Sequence, residues 1–399
     1  MTDDAHASGA DAGEPTGPHE RRRERTARRL DAADAAGLIA FPSRNLEYLT
    51  GFAEEPGERH FFLVIPAASA VDSDPALLVP ALYETQVREA TSVGEIRTWS
   101  DGDDPVAATR DLLADRELDG GRLLVDDTMW ARFSQDLRAA APDATWGLAS
   151  EALADLRVRK DEAELAALRE AAAVADAVVV DLRELGADAV GVTEAALADR
   201  IAERLAERGG RGVSFETVVA AGENGAKPHH GHGDREIRAG EPVVLDFGTR
   251  VDGYPSDQTR TLAFGGEPSE EYREVHEVVR EAQAAGVAAV EPGVPASTVD
   301  RAARDVIEAA GYGEAFVHRT GHGVGLDVHE EPYLVAGNDR RLEPGMVCSV
   351  EPGIYLDGRF GCRIEDLVVV TEDGCERLNR TDRGWETGVE ADGSSSGET

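Results

Sequence analysis

The chain has almost no lysine, few aromatic residues and few cysteines, and each shortage narrows what it can be. Of its 399 residues only Lys160 and Lys227 are lysine, so basic charge comes almost entirely from arginine. Against 41 lysines and arginines stand 78 aspartates and glutamates, a formal charge of −37. A field of that sign repels nucleic acid and anionic lipid at low salt, which disfavours any function built on binding a polyanion.

No stretch of about 18 uncharged apolar residues occurs, so a membrane-spanning helix is not expected. The N-terminal arginines Arg21, Arg22 and Arg23 are followed by Glu24, Arg25, Arg28 and Arg29 instead of the apolar segment of an export signal, and the expectation is a cytoplasmic protein. Cys348, Cys362 and Cys375 are an odd number without a CxxC pair, which suggests packing thiols over a disulfide framework or zinc knuckle. The dispersed carboxylates resemble those of proteins from salt-loving microbes such as haloarchaea, where hydrated acids keep molecules apart when screening shrinks to about 3 Å at 1 M salt.

The length suits two domains. Residues 1–20 and 384–399 are polar, Gly-, Asp- or Ser-rich and aperiodic, and are expected to be disordered tails. Residues 21–150 alternate helix-like stretches with short apolar runs (LIAF, FFLVI, ALLVP), an α/β pattern; the first helix is expected from Arg22 to a stop at Gly37. After residue 150 the texture changes to long Ala-, Glu- and Arg-rich helices and then, beyond 212, to strands. PVVLDFG and QTRTLAFG flank VDGYPS, two helices follow near 269–290 and 297–310, and MVCSVEPGIYL and RIEDLVVVT close a second strand pair. Residues 151–383 therefore suggest an α+β domain of two similar halves, each of helices plus an antiparallel pair.

Seven of the ten histidines fall between 229 and 329, and the carboxylates set in otherwise apolar strands fall between Asp246 and Glu365. Buried carboxylates demand partners, because an isolated charge in a core costs several kcal/mol. A tight turn at Asp252 and Gly253 would place Asp246 opposite Thr259, with Asp257 on the same face. A turn about Gly358 with an odd number of residues would place Glu351 opposite Glu365; other turn lengths shift the pairing by one. Such a cluster calls for a cation, and hard oxygens with one imidazole suit manganese, cobalt, iron or zinc. The imidazole would be His322 in RTGHGVGLDVHEEP, where glycines on both sides allow close approach and His329 follows seven residues later. The plainer alternative is an Asp that serves a turn and a Gly-rich strand that serves packing.

Five motifs in order, KPHHG at 227–231, VVLDFG at 243–248, SDQTRT at 256–261, TGHGVGLDVHE at 320–330 and SVEPGIYL with RIED at 349–366, resemble the pita-bread metallopeptidases, the group of methionine aminopeptidase, aminopeptidase P and prolidase. NLEYLTGF at 45–52 resembles the smaller N-terminal domain of the creatinase, prolidase and aminopeptidase P branch, which closes over the pocket and often supports a homodimer. The resemblance implies an α/β N-terminal domain followed by an α+β pita-bread catalytic domain with pseudo-two-fold symmetric halves. It implies a dinuclear site for manganese or cobalt, with zinc or iron as alternatives, that hydrolyses Xaa-Pro bonds of short proline-containing peptides through a metal-bridging hydroxide. Carried over by these motifs, Asp257 and Glu365 bridge the metals, Asp246 binds one, and His322 and Glu351 bind the other. Glu351 also accepts the proton, His329 stabilises the oxyanion, His229 meets the leaving nitrogen, and Arg363 pairs with a ligand carboxylate from behind. His230 and His232 are expected as solvated loop neighbours, and Cys348 and Cys362 as packing. The arginine that some prolidases carry shortly after the HE pair is Tyr333 here, which leaves dipeptidase and aminopeptidase P both open. A creatinase-like hydrolase of a small amide or amidine and a non-catalytic binding protein are the remaining alternatives.

Overall fold

The protein is described by a computed structural model covering residues 17–71 and 74–388. The chain divides into two compact units between Leu156 and Arg157. In the first, helix α1 (Pro18–Ala32) leads to β1 (Gly37–Ala40), α2 (Arg44–Thr50), β2 (Phe62–Pro66), β3 (Ala76–Pro80), α3 (Glu84–Ala90), β4 (Glu95–Trp99), α4 (Pro105–Asp115), β5 (Gly120–Val125), α5 (Ala131–Ala140), β6 (Asp143–Leu148) and α6 (Ser150–Arg157). The strands form one mixed sheet in the order β4-β3-β2-β1-β5-β6, with β2 antiparallel to both its neighbours. Ile39, Phe62, Val64, Leu78, Leu123 and Phe133 fill the core on one face.

Three boundaries differ from the sequence expectation. Helix α1 begins at Pro18, not at Arg22, because proline suits a first helical turn whose N–H groups are unpaired anyway, and it ends at Ala32, with Asp34 at φ +52° turning the chain before Gly37. The unit boundary lies at the last residue of α6 instead of at residue 150, since Ala152 and Leu153 are buried and the Leu156 carbonyl accepts a hydrogen bond from Tyr48 at 3.3 Å. Residues 384–388, assigned to the C-terminal tail, are tied down: Ala263 N donates to the Trp385 carbonyl at 3.0 Å and Gly388 N to the Arg183 carbonyl at 2.7 Å. The rest of both expected tails, residues 1–16 and 389–399, lies outside the described residues.

The second unit opens with α7 (Glu162–Glu184), started by a reciprocal capping box between Asp161 and Glu164, and α8 (Glu194–Glu207). Both pack on an antiparallel sheet of β7 (Val218–Ala221), β8 (Pro242–Phe247) and β11 (Gln258–Ala263), in the order β11-β8-β7; β9 (Arg250–Val251) and β10 (Tyr254–Pro255) extend the β8–β11 hairpin. Helices α9 (Glu270–Ala288) and α10 (Ala296–Ala309) follow, then a sheet in the order β13-β12-β14-β17-β18, formed by β12 (Gly321–Gly323), β13 (Glu330–Leu334), β14 (Val347–Val350), β17 (Asp366–Val370) and β18 (Cys375–Arg377). Between β14 and β17 the hairpin β15 (Gly353–Leu356) and β16 (Phe360–Arg363) projects. Each half thus consists of two helices on an antiparallel sheet. The first core gathers Val178, Leu197, Ile201, Leu245 and Phe264, and the second gathers Val299, Leu342, Met346 and Val368. Among the described residues no helix is long and apolar enough to cross a membrane.

One core residue carries a pH signature. His276 on α9 is buried, its Nε2 has no hydrogen-bond partner among the described residues, and burial lowers its pKa from 6.5 to about 4. Between those values the unfolded chain binds a proton that the folded chain refuses, so stability falls as pH drops through the window. His276→Phe should remove about 2–3 kcal/mol of the wild-type loss between pH 7 and pH 4.5, read from urea unfolding of both proteins. Equal pH dependence in the two would show that His276 is not its source.

Candidate metal centre

Two hairpins deliver the acids. Asp252 at φ +46° and Gly253 at φ +84° form the two-residue turn between β9 and β10, and the register it sets carries through to Asp246 opposite Thr259. Asp257 immediately precedes β11 with the facing of Thr259, so both aspartates are on one side of the pair. In the second hairpin Leu356 pairs with Phe360 across three turn residues and Gly353 with Arg363. The β14–β17 ladder keeps the same register up to Val350 opposite Asp366. Glu351 and Glu365 therefore face each other at the break between two ladders, where their backbones separate. Glu351 N donates to the Thr320 carbonyl at 2.8 Å, and Glu365 N to the Thr259 carbonyl at 3.1 Å. That second bond joins the two halves of the unit beside the acids.

His322 enters on β12, which is squeezed between its neighbours. A Cβ on Gly321 would lie 2.0 Å from the Ser349 carbonyl oxygen, and one on Gly323 would lie 2.1 Å from that of Glu331, so no larger residue fits on either side of the histidine. The His322 Nδ1 is 3.1 Å from the Gly323 carbonyl, a contact that would keep a proton on Nδ1 and free Nε2 for a cation. Nε2 is 3.2 Å from Glu351 Oε1 and 3.7 Å from Asp257 Oδ2.

Asp257, His322 and Glu365 can bring one ligand atom each within 4.8 Å of one another. Burial, reinforced by the neighbouring carboxylates, pushes Asp257 and Glu365 well above the ordinary carboxylate range, and burial raises Asp246 as well. Glu351 goes the other way: burial opposes its charge, but His322 holds it down at about 2. Asp246 Oδ1 and Glu365 Oε1 are buried without a hydrogen-bond partner among the described residues. Orphaned, mutually repelling oxygens beside an inward imidazole nitrogen fit a divalent cation, the one partner that would satisfy all of them together. The other oxygens are already held, Glu365 Oε2 by the Thr259 hydroxyl at 2.7 Å and Asp246 Oδ2 by Arg363 Nη2 at 2.6 Å.

All eight residues singled out in the sequence line one cavity of about 450 Å³. The His329 ring meets His322 edge-on at 4.2 Å between centroids, and its pKa falls to about 4, chiefly through partial burial, with His322 and Arg319 nearby adding to the shift. His229 lies exposed at the cavity wall. His230 differs from the expectation of a solvated loop residue: its Nε2 is 2.9 Å from Glu194 Oε2, a fully buried carboxylate that needs a partner. His232 is likewise anchored, with Nδ1 2.9 Å from the Thr217 carbonyl. Cys348 and Cys362 are free, buried thiols whose pKa burial pushes up to about 12.

Sequence reasoning missed a second row of polar groups. Tyr355 O–H is 2.7 Å from Arg363 Nη1 and 2.9 Å from His318 Nε2, so buried Tyr355 links the lining residues His318 and Arg363, and Arg363 continues the chain to Asp246. The position of His318 four residues before His322 was a usable signal; nothing local marks Tyr355, because only the β15–β16 pairing brings it there.

A family model described as metallopeptidase family M24 matches residues 166–372, and one described as the creatinase/prolidase N-terminal domain matches residues 22–159. The chain is 44% identical over 351 residues to the probable dipeptidase PepE of Mycobacterium tuberculosis, covering 87% of this chain and 90% of that one. It is 40% identical over 357 residues to the Xaa-Pro dipeptidase of Lactobacillus helveticus, covering 88% and 95%. The solved structure of a recombinant prolidase from Thermococcus sibiricus superposes with a TM-score of 0.87 at 39% identity, over 94% of this chain and all of the other. Together with the acid cluster at the seam of two like halves, these matches establish that the chain belongs to metallopeptidase family M24, with a pita-bread catalytic domain behind a creatinase/prolidase N-terminal domain.

Proposed function

We propose that the chain hydrolyses Xaa-Pro dipeptides with two divalent metal ions that Asp246, Asp257, His322, Glu351 and Glu365 would hold. The observation that carries this reading is the pair of buried carboxylate oxygens on Asp246 and Glu365 that have no partner among the described residues, in a cavity that His322 also lines. Relatives named Xaa-Pro dipeptidase and prolidase support the substrate class. Manganese and cobalt suit the oxygen-rich donor set best, and zinc or iron also fit it. Bound there, the metals supply a Lewis acid for the scissile carbonyl and bring the pKa of water toward neutrality.

The chain's own residues do the rest. Glu351, ionised throughout the neutral range, accepts the proton of the attacking water. His329, neutral at pH 7, has an N–H to donate to the carbonyl oxygen as it gains charge, and His229 meets the leaving proline nitrogen. Arg363 holds Asp246 against the cavity wall. The creatinase/prolidase N-terminal domain supports a homodimer as the working assembly.

The test is removal of metal by a chelator followed by addition of manganese, cobalt, zinc or iron, with Ala-Pro and Ala-Pro-Ala as substrates. Cleavage that disappears with the metal and returns with it is expected; no chelator-sensitive cleavage of either peptide overturns the reading. His329→Ala is expected to keep its metal content, measured by elemental analysis, while kcat falls by about tenfold or more. Full activity in that variant would remove His329 from the oxyanion role.

A further inference from the structure

Two guanidinium groups line the cavity, and they are in opposite states. Arg363 is spent: it is buried and bonded to Asp246, to the Thr259 hydroxyl at 3.1 Å and to Tyr355. Arg319 is half-buried, and its guanidinium carbon lies 4.3 Å over the centre of the Tyr333 ring. It makes no ion pair with any described carboxylate, in a chain whose acids outnumber its bases nearly two to one. Stacking engages the flat face of a guanidinium and leaves its N–H edge, the part that binds a carboxylate with two parallel hydrogen bonds, open to the cavity.

The backbone that presents this group is fixed. The next residue, Thr320, donates its N–H to the Leu334 carbonyl at 3.0 Å and its hydroxyl to the buried Asp300 at 2.8 Å. Tyr333 sits in the adjacent strand β13, its carbonyl held by Asn338 at 2.7 Å. The remaining charge of the cavity is mostly carboxylate: Asp246, Asp257, Glu351, Glu365 and, at the rim, Glu216. Two divalent cations would balance the four carboxylates that hold them, which leaves Arg319 as the lining cation with no carboxylate partner among the described residues.

Resting on the function proposed above, we propose that Arg319, laid on Tyr333, is the specificity-determining residue that captures the free C-terminal carboxylate of the substrate. The chain is then a dipeptidase and not an enzyme for longer peptides, and the group that Tyr333 lacks is supplied from the neighbouring strand end.

The experiment compares Ala-Pro with its C-terminal amide, Ala-Pro-NH2, on metal-loaded wild-type, Arg319→Ala and Arg319→Lys proteins, with metal content measured for each. A charge-assisted hydrogen-bond pair predicts that the wild type favours the acid by about tenfold to a hundredfold in kcat/KM. In Arg319→Ala that preference should fall by roughly tenfold or more, with the loss in KM, and Arg319→Lys should recover part of it. An acid-to-amide ratio unchanged in both variants, with metal retained, overturns the role of Arg319 while leaving the peptidase standing. A metal-loaded wild type that cleaves neither compound overturns the proposed function, and this inference with it.

Discussion

Asp257→Asn is expected to lose metal and to lower kcat/KM by roughly a thousandfold or more, yet to leave the metal-free protein at least as stable as the wild type. The two halves of that outcome share a cause. Asp257 is almost fully buried beside Glu365, Asp246 and Glu351, and burial together with their charges pushes its pKa well above the carboxylate range. In the metal-free chain the ionised side chain opposes folding, and a neutral amide of the same shape relieves the repulsion. The sign of the pH dependence follows. A carboxyl whose folded pKa is raised contributes stability below its unfolded pKa and loses it as pH rises through the folded value, so the contribution of Asp257 to the metal-free protein is lost from acid toward neutral pH, and the stability of Asp257→Asn relative to the wild type should grow over that range. Metal loading should reverse the comparison, because only the wild type gains binding energy. Calorimetric melting of both proteins with and without manganese reads all four states; a metal-free Asp257→Asn that melts well below the metal-free wild type would show that the carboxylate is not strained. Stability given up to hold charges that only a cation satisfies is what a site kept for function looks like.

The positions of these acids were readable from sequence because strand register obeys a simple rule. Once Asp252 and Gly253 are taken as the tight turn, alternation puts Asp246 against Thr259 and Asp257 on the same face, and the structure has that pairing. The second hairpin needed its turn length, and the three residues after Leu356 settle Glu351 against Glu365. The glycines around His322 also read correctly, since close strand approach leaves a direct mark on composition. What was hidden depends on elements far apart in sequence. Tyr355 reaches Arg363 only through the β15–β16 pairing, His230 is tied to Glu194 on α8, and Arg319 finds Tyr333 only because β12 lies beside β13. Residue 384 looked like the start of a tail because its neighbours are polar, although the backbone of Trp385 and Gly388 bonds to Ala263 and Arg183. Composition reports burial of side chains, not hydrogen bonding of a polar segment along a sheet edge.

Asp366→Asn should cost about 3–5 kcal/mol of folding stability, the loss expected when one partner of a buried ion cluster is removed. Adjacent residues of an extended chain point to opposite sides, so Glu365 faces the cavity while Asp366 faces the interior behind it. There Asp366, fully buried, receives Arg260 Nη2 at 2.8 Å on Oδ1, and Gln283 at 2.9 Å, Arg377 at 2.5 Å and Arg383 Nε at 2.7 Å on Oδ2. Burial alone would raise its pKa, but Arg260, Arg383 and Arg377 hold it below the ordinary value. This is the reverse of its neighbour Glu365 and of Asp257: its stabilising effect is present above the unfolded pKa and is lost as pH falls through the folded one. Replacing the carboxylate by an amide leaves three arginines facing one another, where the same change at Asp257 relieves a repulsion. Because Arg260 also donates from Nη1 to the Glu365 carbonyl at 2.6 Å, disorder in the cluster should reach the metal ligand as well, with metal affinity falling alongside stability. Urea unfolding of the metal-free proteins separates the two effects. If Asp366→Asn unfolds within about 1 kcal/mol of the wild type, the arginines have found other partners and the cluster is not what fixes this edge of the site.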